Sequence, residues 1–409
     1  MKRCLTHIFT HRRTAADIPE NGSSIEGRET GMALIVAAVV LFLVLLSLLF
    51  SACTDADLPA TSHTPLPISF APSATTPAAS AAGSPAAGSS TRTAPGTLSL
   101  DGLGSPVEQS LREKGFGVFA CHTGLHPYVS TAITQNFMWN QHIAYSSAAA
   151  NWDYSPVVYW PDPVEGLYPY VTFFAYAPYA AAPGSGSTPV DRCIVDCTLP
   201  VESGDPWLVY QLGGTEDDWQ QHQVDLLYDF RPDCQQSATP ARVEFAFRHA
   251  LACAGDHITV TCSPALQARL QAAYSGTPVT LSVQRIALSY TLLRKGRLHL
   301  GSTTEPRWQT IASESPTVVR HLTLTPHRVI ATATSATACT LTDYTAADQG
   351  IFYIPLADSA NPQWVDITVD YATSGGTSAS VTTRVELTAV ASASQNRDFR
   401  IILPDNVNL

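Results

Sequence analysis

Val365-Asp366-Ile367-Thr368-Val369-Asp370-Tyr371 alternates apolar and polar residues without a break. Successive side chains on a strand point to opposite faces. The stretch therefore predicts a strand with Val365, Ile367, Val369 and Tyr371 inward and its Asp and Thr side chains in water. Val243, Phe245 and Phe247 alternate with Glu244, Ala246 and Arg248 in the same way. Between residues 279 and 292 the pattern changes parity: Leu281 and Val283 are odd, whereas Ile286, Leu288, Tyr290 and Leu292 are even. A bulge near Gln284-Arg285 would keep all six on one face. Further strands are expected at residues 171–175, 297–300, 321–324, 381–387 and 399–403. Turn signals such as Pro183-Gly184-Ser185-Gly186 and Ser374-Gly375-Gly376 separate them. Residues 264–274 are the best candidate for a helix. Short strands between frequent turns predict an all-β chain built from antiparallel sandwiches.

Composition points the same way. Of 409 residues only 14% are charged against 45% hydrophobic, with 29 Pro and 24 Gly. Low charge with many Thr, Val, Tyr and Ala suits an exported β-rich protein. Acidic residues outnumber Lys and Arg by 34 to 23, and no arginine run gathers the positive charge. Phosphate backbones would be repelled, which excludes nucleic acid as an expected partner. A composition break near residues 232–240 divides the globular sequence into two expected sandwiches, 106–236 and 241–409.

Residues 32–52 read MALIVAAVVLFLVLLSLLFSA, uncharged throughout and long enough to span a hydrocarbon core of about 30 Å as a helix. Lys2, Arg3, Arg12, Arg13 and Arg28 precede it, so the amino end is expected to stay inside. Residues 1–52 are read as an export signal. The run ends Phe50-Ser51-Ala52-Cys53, which resembles a bacterial lipobox. In a lipobox the cysteine thiol takes a diacylglyceryl group and becomes the new N-terminus. Cys53 is the candidate lipidation site; an uncleaved membrane anchor is the competing reading. Residues 53–105, rich in Ala, Ser, Thr and Pro, read as a flexible tether. One island interrupts it, Pro67-Ile68-Ser69-Phe70, whose alternation could make a lone strand.

Signatures of catalysis are missing: the sequence has no HExxH pair, GxSxG elbow, Walker loop or dinucleotide fingerprint. The chain is expected not to be an enzyme and to need no cofactor or metal. His122 and His126 could converge on a metal only in a turn, because on a strand they lie about 13 Å apart. Glu216-Asp217-Asp218, near Asp205, offers oxygen ligands for calcium but lacks the spacing of a known loop, so a solvated turn is preferred. Setting aside Cys4 and Cys53 leaves Cys121, Cys193, Cys197, Cys234, Cys253, Cys262 and Cys339, an odd number that cannot all pair. Cys193 and Cys197 could bridge in a turn or stay as buried thiols. Aromatics crowd residues 137–179, among them Trp139, Tyr145, Trp152, Tyr154, Tyr159, Trp160, Phe173, Phe174 and Tyr176. Core filling is preferred over a sugar-stacking platform.

At this aromatic region the sequence resembles the fimbrillin-like family of Bacteroidales surface lipoproteins, the subunits of type V pili. The matching pieces, in order, are Phe116-Gly117-Val118-Phe119-Ala120, Thr123-Gly124 and Phe137-Met138-Trp139-Asn140-Gln141. Then come Trp152-Asp153-Tyr154-Ser155-Pro156, Tyr159-Trp160-Pro161 and Val171-Thr172-Phe173-Phe174-Ala175-Tyr176-Ala177-Pro178-Tyr179. Asp225-Leu226-Leu227 and the run from Val243 to Leu251 complete them. The resemblance implies two transthyretin-like sandwiches, export to the outer membrane as a lipoprotein, and assembly into a surface fimbria by donor-strand exchange. It implies that an arginine-specific protease cuts an N-terminal strand away, leaving a groove that a strand of the next subunit fills. By position Ile68 and Phe70 mark the displaced strand and Arg92 the cut, with Arg112 as the fallback. Phe399, Ile401 and Leu403 are the candidate donor side chains, unless they simply end their own sandwich. Expected partners are other fimbrial subunits, membrane lipid through acylated Cys53, the protease, and a host surface protein or glycan. A monomeric tethered lipoprotein that binds glycan is the alternative function.

Overall fold

The computed structural model describes residues 65–74, 89–91, 107–129, 136–197, 204–236, 242–302, 307–311, 316–335, 340–344, 350–356, 358–387 and 395–405. Phe116-Gly117-Val118-Phe119-Ala120-Cys121 is apolar on both parities, the pattern of a strand covered on both faces. All six residues are buried in the strand Phe116–Gly124. It lies inside a seven-stranded sheet ordered Phe70–Ala74, Val243–His249, Leu227–Gln235, Tyr170–Ala177, Phe116–Gly124, Met138–Ser146 and Asn151–Asp153. Gly117 is required there, since a Cβ would overlap the Tyr176 ring on the neighbouring strand. One face of this sheet buries Val118, Ala120, Phe173 and Phe245 together with Ile68 and Leu111. The other buries Phe119, Phe174 and Tyr176 in the larger core. A four-stranded sheet, Trp308–Thr310, Lys295–His299, Trp207–Gln211 and Ile194–Asp196, contributes Leu208 and Tyr210 to that same core.

Two five-stranded sheets complete the described fold. One runs Thr340–Tyr344, Ala252–Cys262, Gln395–Leu403 and Ser89–Thr91, with Ile351–Tyr353 also paired to Ala252–Cys262. The other runs Thr317–Leu324, Thr280–Leu293, Trp364–Thr373 and Ser378–Glu386, with Arg328–Thr332 beside Thr280–Leu293. Val365, Ile367, Val369 and Tyr371 are buried as the alternation requires. The register of Thr280–Leu293 against Trp364–Thr373 shifts between Val283 and Arg285, so the expected bulge is present and both parities face inward. The expected helix forms as Pro264–Ala273, its first turn capped by the Ser263 hydroxyl, which accepts from the Leu266 N–H.

Several expectations are corrected. The lone strand expected at residues 67–70 is Phe70–Ala74, preceded by a single bridge from Pro67 to Tyr159. Not every pairing is antiparallel: Phe70–Ala74 with Val243–His249, and Ala252–Cys262 with Gln395–Leu403, are parallel. Val243–His249, assigned by sequence to the second sandwich, pairs instead with Leu227–Gln235, so sheet membership does not change across residues 237–241. Helix Val107–Lys114 was not foreseen. Its apolar stripe is too thin to read; Leu111 joins the core and Ser110 is buried beside it. Residues 64–409 form one compact unit. Cys121, Cys193, Cys197, Cys234 and Cys262 are free thiols, so Cys193 and Cys197 do not bridge. Burial pushes the Cys121 and Cys193 thiols up to about 12, which keeps them protonated and inert at neutral pH.

Candidate functional site

Residues 66–74 enter the fold as an added strand, bonded along both edges in succession. On one side the Ile68 N–H donates to the Val158 carbonyl at 3.0 Å and the Trp160 N–H to the Leu66 carbonyl at 3.0 Å. On the other, the Val243 N–H donates to the Ser69 carbonyl at 2.8 Å, and parallel pairing then runs from Phe70 opposite Val243 to Ala74 opposite Phe247. Ser73 adds its hydroxyl to the Phe245 carbonyl at 3.3 Å. Ile68 and Phe70, two apart and thus on one face, are each 2% exposed.

The groove that receives them is aromatic. Phe70 stacks on Phe245 at 5.8 Å and meets Phe116 at 6.2 Å, Phe173 at 6.0 Å and Tyr154 at 5.5 Å. The Tyr154 hydroxyl lies 2.8 Å from the Ile68 carbonyl and 3.1 Å from the Val158 carbonyl, and it donates between them. Burial raises the Tyr154 pKa, so the proton for this bond is retained at physiological pH. Full burial of an Ile or Phe side chain contributes about 1.5–3 kcal/mol, and each hydrogen bond about 0.5–1.5 kcal/mol net. Ordering each backbone residue costs about 1–2 kcal/mol. These terms nearly offset one another, so the covalent tie to the rest of the chain is a substantial part of what retains the strand.

The other residues singled out by sequence fall in different places. Cys53, Arg92 and the apolar residues 32–52 lie outside the described residues; Ser89–Thr91, immediately before Arg92, pairs its backbone with Gln395, Asn396 and Arg397. Arg112 is exposed but sits in helix Val107–Lys114, whereas a protease needs extended chain. Phe399, Ile401 and Leu403 are buried in Gln395–Leu403, with Ile402 between them 61% exposed. In this structure that strand lies in its own subunit's sheet, remote in topology from the Phe70 groove. His122 and His126 lie where a strand turns out, and His126 donates its N–H to the Thr123 carbonyl. Among the described residues no group of three His, Cys, Asp or Glu is arranged to hold a metal ion. Asp218 takes the Thr215 N–H and hydroxyl, and Glu216 pairs with His321 at 2.6 Å; this is the turn preferred from sequence. Of the aromatic cluster, Trp160, Phe173, Phe174 and Tyr176 are core, but Trp139 and Tyr159 are about half exposed, at 52% and 48%. Sequence reasoning missed Tyr154 as the group that holds the strand. Its motif Trp152-Asp153-Tyr154-Ser155-Pro156 was visible, but the partner carbonyl, 86 residues away, was not.

The family model for fimbrillin-like proteins matches residues 112–406. The chain belongs to the fimbrillin-like family. Fimbrium subunit Fim1C of Phocaeicola vulgatus is 31% identical to it over 144 residues, which is 34% of this chain and 34% of that protein. The match thus spans about a third of the curated relative's length. Solved structures of putative cell adhesion proteins show weaker likeness. One from Parabacteroides distasonis is 9% identical with a TM-score of 0.38, over 84% of this chain and 89% of that one. One from Bacteroides uniformis is 11% identical with a TM-score of 0.34, over 71% of this chain and 86% of that one.

Proposed function

We propose that this fimbrillin-like chain is a structural subunit of a fimbria, exported as a lipoprotein on Cys53 and polymerised by exchange of the strand at residues 66–74. The observation that carries the reading is the placement of that strand. It is bonded on both sides, its two apolar side chains are each 2% exposed, and it is continuous with a Pro- and Ala-rich segment that leads to Arg92. While the chain is intact the strand is its own intramolecular ligand at high effective concentration. Cleavage after Arg92 turns that contact into a bimolecular one, and a strand from another subunit can compete for the vacated edge of Val243–His249. Such strand addition uses main-chain bonds for affinity and alternate side chains for fit. A structural rather than enzymatic role belongs to this reading, as does an outer-membrane location through acylated Cys53.

The experiment is limited digestion of the purified precursor with an arginine-specific protease, followed by electron microscopy. Cleavage after Arg92 should precede cleavage elsewhere and convert monomers into fibres. A synthetic peptide of residues 64–76, added in excess, should hold the cut protein monomeric. Fibres that form equally well from uncut Arg92→Ala protein would contradict the reading.

A further inference from the structure

Beside the Phe70 strand the molecule carries a cleft of about 290 Å³. Two arginines, Arg112 and Arg242, line it together with Tyr145, Trp152 and Asn151. None of the described residues that line it carries a carboxylate, in a chain whose acidic residues outnumber basic ones by 34 to 23. The supports are built from the core outward. Trp152 meets buried Phe116 at 5.1 Å, Tyr145 meets Trp152 at 5.3 Å, and the Arg112 guanidinium lies 5.1 Å from the centre of the Tyr145 ring. That stack limits the wandering of the Arg112 fork and so lowers the ordering cost of binding. Arg242 immediately precedes Val243–His249, where pairing to Phe70–Ala74 holds the backbone.

We propose that this cleft binds the acidic sugar unit of a glycan, a carboxylate-bearing pyranose such as a uronic acid. A guanidinium fork matches a carboxylate in two parallel hydrogen bonds and stays charged at every physiological pH. The carboxylate of such a sugar is ionised there too. The Tyr145 and Trp152 rings offer apolar surface to the C–H face of the pyranose, and the Asn151 amide can donate to or accept from its hydroxyls. The volume lies at the lower end of pockets that enclose small ligands, about 300–1,000 Å³, so it takes one sugar unit and leaves the remaining glycan in solvent. Ser69, Phe70, Ala71 and Pro72 form part of the wall. The site is therefore complete only while the N-terminal strand is in place. In the strand-exchange reading it belongs to the uncut subunit, but binding itself does not depend on that reading.

The test is calorimetric titration of the full, uncut chain in non-ionic detergent. The probes are a disaccharide ending in glucuronic acid, its glucose-ended counterpart, and inorganic phosphate. The acidic disaccharide should bind saturably at one site, at least tenfold tighter than the neutral one, and more weakly as salt rises. Arg242→Gln should weaken it at least tenfold, and Arg242→Lys, which keeps charge without the fork, should fall between. Arg328→Gln, at an exposed position on Arg328–Thr332, should change nothing. If Arg242→Gln shifts the melting temperature, the Lys variant decides. Absent binding, equal affinity for the neutral sugar, phosphate binding as tight as the sugar acid, or an equal loss in Arg328→Gln would each overturn the proposal. Because no cleavage is involved, failure here leaves strand exchange standing, and failure of fibres to form leaves this site standing.

Discussion

Phe70 is the side chain on which the N-terminal strand depends most, since four aromatic rings surround it and only backbone bonds, Ile68, partly buried Leu66 and the Ser73 hydroxyl remain without it. Phe70→Ala should cost about 3–5 kcal/mol of local stability, the usual range for emptying a buried phenyl site. That exceeds the surplus holding residues 66–74, so the strand should leave while the sheets behind it stay folded. Hydrogen exchange should then report fast amides at residues 68–74, with slow amides retained in Phe116–Gly124. Uniform loss of protection would show instead that the strand is an integral part of the core. A second residue-scale expectation concerns Asp366, opposite Arg384 in the strand pair and bonded by its fork at 2.7 and 2.8 Å. The Arg384 hydrogen bonds hold the Asp366 carboxyl below its ordinary value of 3.8. A carboxyl depressed in the folded state contributes stability above its unfolded pKa and loses it as pH falls through the folded one. Both partners are substantially exposed, so the contribution is small, about 0.2–1 kcal/mol. Asp366→Asn should lower stability by that amount at pH 7. Its denaturation midpoint should begin to converge on that of the parent as pH falls below about 4 and meet it below the depressed folded pKa; a constant gap down to about pH 2 would refute the assignment.

At the scale of elements, the two parallel pairings separate two kinds of terminal strand. Phe70–Ala74 lies at the end of its sheet's order, whereas Gln395–Leu403 lies inside its own, between Ala252–Cys262 and Ser89–Thr91. Phe399, Ile401 and Leu403 alternate inward, and the Phe399 ring approaches Tyr290 of the facing sheet at 6.5 Å. Deleting residues 398–409 removes three buried side chains worth about 1.5–3 kcal/mol each and uncovers an edge of Ala252–Cys262. The isolated subunit should melt earlier and aggregate. A folded, soluble monomer that merely fails to polymerise would instead support the exchange role for this strand. Several strands with one wet face were legible in sequence, because alternation then marks each residue in or out, although Met138–Ser146 and Ala252–Cys262 were not among them. Trp364–Thr373 and the bulged Thr280–Leu293 followed that rule. Strand direction was not legible, since parallel and antiparallel partners demand the same alternation from each strand.

Across the whole molecule, one hydrophobic cluster runs from Phe119 and Phe174 in the seven-stranded sheet through Tyr210 and Trp308 to Phe399 and Leu403. A fragment ending at residue 236 would lack Val243–His249, which stands between Leu227–Gln235 and Phe70–Ala74. It should therefore show no cooperative thermal transition and should expose apolar surface to a dye, whereas the chain from residue 64 to its end should melt cooperatively. A sharp transition in the shorter fragment would restore the boundary expected near residues 232–240. The amino-acid sequence by itself determined the all-β class, the inward faces, the bulge, the helix at Pro264–Ala273 and the family resemblance, all of which depend on local periodicity or ordered motifs. Tertiary structure alone decided that Phe70–Ala74 lies parallel to Val243–His249, that Tyr154 holds the Ile68 carbonyl, and that Arg112 and Arg242 meet in one cleft. Those contacts join residues 86 to 173 positions apart. A strand's pattern records only which of its faces meets water, not which distant strand will cover the other.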